Sequence, residues 1–189
     1  MKNENHTALL IMDVQQGIVQ NLPGKESFFS SLKKAIATAR KNDIPVIYVV
    51  VGFRKDYPEV SSANKMFTNI TTSGRKMDEE SSYKVAAEVT PQTGELVVTK
   101  KRVSAFTGSD LEVILRAKEI KHLVLTGVAT SGVVLSTLRE AADKDYRLTV
   151  LSDCCADRDE EVQHVLLTRV FPKQADVMST EEWSREVAK

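Results

Sequence analysis

Three short stretches of this 189-residue chain place a chemically capable group at the end of an apolar run. Ala8-Leu9-Leu10-Ile11-Met12 closes on Asp13, and Leu96-Val97-Val98-Thr99 runs into Lys100. His122-Leu123-Val124-Leu125-Thr126 gives way to Gly127-Val128-Ala129-Thr130-Ser131-Gly132-Val133. A carboxylate can give or take a proton, and an ammonium can orient that carboxylate or receive a substrate anion. A loop opening into a helix offers backbone N–H groups to an anion or an oxyanion. Each feature also has a plainer meaning. An aspartate after a strand often caps a turn, a strand-end lysine is usually solvated, and Gly-Val-Ala-Thr suits an ordinary strand-to-helix turn. The chemistry depends on whether the fold brings the three ends together.

The elements around these stretches alternate. After the first run and a Pro23-Gly24 break, Phe28, Leu32, Ile36 and Ala39 recur at helical spacing, with a stop at Asn42. Pro45–Val51 predicts a second strand, Leu96–Thr99 a third, His122–Thr126 a fourth, Leu148–Leu151 a fifth and Ala175–Met178 a weaker sixth. Between them, a helix opens at Ser109 with Glu112 three positions on, a capping-box pattern. Further helices are expected over Ser131–Asp143, around Val162–Val170 and over Glu181–Val187. Continuous apolar strands separated by helices predict an α/β fold with a parallel sheet covered on both faces. In such sheets the ligand crevice lies beyond the C-terminal strand ends. The polar stretch from Gly52 to about Thr90 is long for a connection in a compact domain, and is expected to be part lid and part subunit contact.

Composition sets bounds. With 42% apolar and 28% charged residues, residues 1–189 suit a single domain with a sizeable core. The formal net charge is zero, which gives no overall pull toward nucleic acid or an anionic membrane. No apolar run approaches the length of a membrane span. Met1-Lys2-Asn3-Glu4-Asn5 lacks the pattern of a leader, and Cys154-Cys155 suggest no disulfide framework, so a cytoplasmic location is expected.

Four motifs, in order, resemble those of the isochorismatase-like (cysteine hydrolase) superfamily: Ala8–Gln15, Lys100-Lys101-Arg102-Val103-Ser104-Ala105-Phe106, Gly127–Thr130 and Ser152–Ala156. The resemblance covers roughly Thr7 to Trp183. It implies a Rossmann-like three-layer α/β/α sandwich with a six-stranded parallel sheet in order 3-2-1-4-5-6. It implies Asp13 and Lys100 as the acidic and basic catalytic members, Lys101 as a variable position, a cis bond at Val128–Ala129, and an oxyanion site over Val128, Ala129, Thr130, Gly132 and Val133. It also implies a homo-oligomer. Val133 stands where relatives carry the nucleophilic cysteine, and its neighbour Gly132 has no side chain to replace it. Without a thiolate there, the covalent amidase route is closed. Gly52-Phe53-Arg54 lacks the histidine of the nicotinamidase metal signature, so no metal and no other cofactor is expected.

Three readings follow. In the first, the chain is a cysteine-independent hydrolase of a small metabolite, with Asp13 as acid/base and Lys100 orienting it or binding an anion. An adjacent ammonium lowers the pKa of an aspartate, so this requires a dry pocket that raises it again. Phe53, Phe106 and Val133 are candidate apolar walls, and Arg54 is the candidate partner for a substrate carboxylate. In the second reading the chain binds a small molecule without converting it. In the third it is a partner-docking protein.

Overall fold

The first two apolar runs become strands buried on both faces. Ala8, Leu10 and Met12 enter one core layer, whereas Leu9 and Ile11 enter the other. The computed structural model describes residues 6–72, 77 and 83–188, with the backbone alone at 70–72. Residues 1–5, on which the leader reading rests, lie outside the described residues, as do 73–76 and 78–82 of the long connection and residue 189.

Strands β1 (Thr7–Met12), β2 (Val46–Val51), β3 (Leu96–Lys100), β4 (His122–Val128), β5 (Arg147–Ala156) and β6 (Asp176–Met178) pair in parallel. They form one six-stranded sheet in the order β3-β2-β1-β4-β5-β6, as the resemblance implies. Helices α1 (Gln16–Val19), α2 (Lys25–Lys41), α3 (Lys65–Thr72), α4 (Leu111–Ala117), α5 (Leu135–Asp143), α6 (Glu160–Val165) and α7 (Thr180–Val187) join them. α2 lays Leu32, Ile36 and Ala39 on one face of the sheet beside Trp183 of α7, while α4 and α5 cover the other with Leu111, Leu115 and Leu138. Each fully buried leucine in these layers stabilises the fold by about 2 kcal/mol. Among the described residues no helix is long and apolar enough to cross a membrane.

The structure departs from the sequence expectations at several places. α4 begins after Asp110, with no side-chain cap. The Ser109 hydroxyl accepts from the Leu111 N–H at 3.2 Å and donates to the carbonyls of Ala105 and Phe106, while Glu112 accepts from Lys144 at 2.7 Å, so a tertiary ion pair has taken the carboxylate half of the expected capping box. A capping box does form at Ser179 and Glu182, where the sequence reading places none. The helix expected from Ser131 opens with a π turn over Thr130–Val134 before α5. β5 runs ten residues, so Cys154 and Cys155 lie within it rather than beyond it. The reason is its pairing with β4, which continues past a register shift to set Cys155 opposite Gly127 and Ala156 opposite Val128.

The long connection carries α3 and packs Phe53 and Phe67 into a small apolar cluster with Val51, the last residue of β2. Its returning limb runs beside the exit of β1. The Ala86 N–H donates to the Val14 carbonyl, and the Gln16 N–H donates to that of Lys84.

Candidate active site

Register decides what converges. Met12 pairs with Val49 on β2 and with Gly127 on β4, and Val51 of β2 pairs with Lys100 of β3. Asp13 and Lys100 therefore leave the sheet on opposite sides of the β2 terminus, and the lysine side chain reaches across it. Gly127 follows from the same crowding. A Cβ at this residue, whose φ is 142°, would lie 2.2 Å from the Met12 carbonyl oxygen, so no other residue lets β4 leave so close to β1.

Lys100 Nζ lies 2.9 Å from Asp13 Oδ2 and also donates to the carbonyls of Arg102 at 2.9 Å and Val103 at 3.0 Å. An ammonium has three hydrogens, and all are committed. None is left for a substrate anion. The lysine side chain is 2% exposed and that of the aspartate 10%. Burial pushes the Asp13 carboxyl above its ordinary value, against the opposing charge and hydrogen bond of Lys100. The dryness that acid chemistry requires is thus present.

The other carboxylate oxygen is the informative one. Asp13 Oδ1 is buried and, among the described residues, has no hydrogen-bond partner. Thr130 Oγ1, from the turn after β4, is in the same condition. A buried acceptor left unpaired costs roughly 1–3 kcal/mol. Because Lys100 occupies Oδ2, a proton on Asp13 sits on Oδ1. Among the described residues Thr130 has no base within reach of its hydroxyl, so it lacks what an activated nucleophile needs.

The Val128–Ala129 bond is cis. In the turn that follows, the Gly132 N–H, one of those expected to serve an oxyanion, is committed to the Ala129 carbonyl at 3.0 Å, and the neighbouring Ser131 N–H donates to Asp157 Oδ2 at 2.8 Å. Asp157 carries no signal of this role in the sequence. Burial raises its carboxyl, but hydrogen bonds from Ser131, Arg158 and Asp159 outweigh this and hold it below the ordinary value. Val133 is 2% exposed and shares a core layer with Phe106, whereas Phe53 belongs to the separate cluster with Phe67. The three expected wall residues thus fall into two groups.

The cations near the β3 exit are also matched. Arg54 pairs with Glu59 at 2.9 Å, its side chain 75% exposed. Lys101 Nζ donates to the Gly52 carbonyl at 2.7 Å and lies 3.9 Å from the same glutamate. Arg102 donates to the carbonyls of Lys101 and Glu59. Glu59, another residue that sequence reasoning misses, gathers these charges. Cys154 and Cys155 are buried in β5, and burial pushes the Cys154 thiol up to about 12 and the Cys155 thiol well above its ordinary value.

Comparison with known proteins identifies the family. A family model described as the isochorismatase domain matches residues 7–182. The chain is 30% identical over 183 residues to the isochorismatase family protein YecD of Escherichia coli O157:H7, covering 95% of each. It is 33% identical over 169 residues to the ureidoacrylate amidohydrolase RutB of Yersinia enterocolitica, covering 78% of this chain and 74% of the relative. Among solved structures, an isochorismatase family protein from Burkholderia thailandensis superposes with a TM-score of 0.86 at 28% identity, over 98% of this chain and 97% of the other. N-carbamoylsarcosine amidase from Thermoplasma acidophilum superposes with a TM-score of 0.77 at 28% identity, over 93% and 96%.

Proposed function

The chain belongs to the isochorismatase family, and on that premise we propose that it is a hydrolase of a small metabolite in which Asp13 does the acid–base work without a cysteine nucleophile. One observation carries this reading. Asp13 is buried, held by Lys100 through one oxygen, and raised above its ordinary pKa, while its second oxygen is unpartnered among the described residues. Protonated Oδ1 gives its proton to the departing nitrogen or oxygen as that bond breaks. Water adds its hydroxide portion to the carbon and returns its remaining proton to Asp13, so the carboxyl is regenerated. The Thr130 hydroxyl is a second polar contact for the substrate or the water. Lys100 acts as a positioning residue, since its hydrogens are already engaged.

No thiolate enters this scheme. The motif resemblance puts Val133 at the position of the nucleophile, and burial raises the thiols of the two β5 cysteines above their ordinary values. The substrate classes we favour are ureas and amides, suggested by the ureidoacrylate and N-carbamoylsarcosine relatives, together with enol ethers. In this proposal residues 1–189 act as one domain, the 52–90 connection serves as lid or subunit contact, and the protein works as a homo-oligomer.

The test starts with a thermal-shift screen of ureas, amides and enol ethers, followed by product analysis. Asp13→Asn is expected to lower turnover by about 100-fold or more, whereas Cys154→Ala and Cys155→Ala leave it unchanged. Turnover that survives Asp13→Asn removes the mechanism. A second reading, a ligand-binding member without chemistry, is favoured by the valine at position 133. Its signature is a stabilising ligand that is recovered unchanged.

A further inference from the structure

Gln15 is fully buried, at 0% exposure, two residues past Asp13. A polar side chain with no access to water needs a reason to be there. It stands at the cap of α1, a position where serine, threonine, aspartate or asparagine commonly bond to the helix, yet it makes no side-chain cap bond. Its carboxamide faces the end of β2 instead. Nε2 donates to the Val51 carbonyl at 3.0 Å, and the Val51 N–H donates to Oε1 at 2.7 Å.

Backbone accounting explains the pairing. β1 follows β2 only as far as Met12 opposite Val49, with the Asp13 N–H donating to the Val49 carbonyl at 2.8 Å. Beyond that point the chain turns away at Asp13, whose φ is 54°, a left-handed conformation uncommon for a residue with a Cβ. The N–H and carbonyl of Val51 lie one pleat further along the same edge of β2 and have lost their strand partner. Buried backbone groups are nearly always satisfied, and a primary amide carries the same donor and acceptor as a peptide. The Gln15 side chain therefore continues the ladder for one more pair after the strand itself has left. Its backbone meanwhile bridges to Val85 on the returning limb of the long connection.

We propose that Gln15 is the positioning residue of the site: its amide, paired edge to edge with the Val51 peptide, fixes the turn that carries Asp13 at the place where it meets Lys100. This rests on the reading of Asp13 as the reacting carboxylate. Gln15 touches no reacting atom and acts only through the turn. Without the clamp the β1 exit separates from β2, water enters, and the burial that raises Asp13 is relieved.

The experiment reads Asp13 directly. The carboxyl carbon of Asp13 is followed by 13C NMR as pH is varied, its signal assigned by its loss in Asp13→Asn, in the unmodified chain, in Gln15→Met and in Gln15→Glu. Methionine keeps the length and removes both bonds. A protonated glutamic acid restores a donor and an acceptor. The Asp13 midpoint is expected to fall by about one unit or more in Gln15→Met, and to stay nearer that of the unmodified chain in Gln15→Glu wherever the new carboxyl is protonated. A folded Gln15→Met variant in which Asp13 titrates as before overturns the proposal. If that variant does not fold, Gln15→Glu decides, and unchanged titration of Asp13 at pH values where the introduced carboxyl is ionised overturns it equally. The titration requires no turnover. Activity that survives Asp13→Asn would sink the hydrolase reading and leave this result standing.

Discussion

Opposite ends of the central strands carry a titratable group, buried at one end and partly buried at the other, and the two ends are built to opposite rules. At the N-terminal edge, His122 of β4 lies between Thr7 of β1 and Arg147 and Thr149 of β5. Arg147 donates to Nδ1 at 2.9 Å, and Nε2 lies 2.9 Å from Thr149 Oγ1. Arginine can only donate, so Nδ1 is the acceptor and Nε2–H is the donor. Both ring nitrogens are matched, and burial together with the Arg147 charge pushes the imidazole down to about 4. At the C-terminal edge, Asp13 is matched through one oxygen and, among the described residues, bare through the other. The histidine end is saturated and therefore structural. The aspartate end has an unused valence in a dry place, and that is what makes it a candidate for chemistry.

The largest way to break the contrast is to take away the one partner Asp13 has. Lys100→Met leaves a buried carboxylate without its counter-ion, and removing half of such a pair costs about 3–5 kcal/mol. The loss should be greatest at neutral pH and shrink on acidification, because protonating Asp13 removes the lone charge. The double variant Asp13→Asn/Lys100→Met should be more stable at pH 7 than Lys100→Met alone, since no buried charge remains. Urea unfolding of the unmodified chain and the two variants checks this. If Lys100→Met costs less than about 1 kcal/mol, the pair is not the buried coupled unit described above.

A smaller effect separates the two ends by the sign of their pH dependence. The folded-state pKa of His122 lies below the ordinary 6.5, so the unfolded chain takes the proton more readily. Its contribution is complete above about pH 6.5 and is lost as pH falls toward about 4, by about 2–3 kcal/mol once partial exposure is allowed for. Asp13 runs the other way. Its folded pKa is raised, so its contribution is present at low pH and lost as pH rises through the folded value. Unfolding free energies of His122→Gln compared with the unmodified chain at pH 7 and about pH 4.5 should show the acid-side slope flattened in the variant. An unchanged slope would mean that His122 is not the group being protonated.

The contrast also marks what the sequence can disclose. Burial on both faces writes itself into continuous apolar runs, so Ala8–Met12 and His122–Thr126 are legible as strands, and the motifs that follow Ala8–Met12 and Leu96–Thr99 locate Asp13 and Lys100. What is illegible depends on partners distant in the chain. Glu112 looks like half of a capping box until Lys144, from the far end of α5, takes its carboxylate. Arg54 looks free to receive a substrate until the fold sets Glu59 beside it. Gln15 is visible only as part of a motif, because its role exists only opposite Val51. Saturation is a property of pairs, and no single residue type announces it.

The smallest effect follows from that same saturation. Arg54, near the β3 exit, has a mostly exposed side chain, and its guanidinium already rests on Glu59. Exposed pairs of this kind stabilise by about 0–1 kcal/mol, so Arg54→Ala should shift unfolding by no more than that. Binding is the sharper measurement. Lys100, Lys101 and Arg102 are likewise engaged, so these four cations offer no spare positive charge, and a carboxylate-bearing ligand gains little from them over its neutral analogue. Calorimetry with such a pair of ligands should give affinities that Arg54→Ala changes by less than about fivefold, roughly 1 kcal/mol. A hundredfold loss confined to the charged ligand would show that Arg54 leaves Glu59 for the substrate, and the site would then select an anion after all.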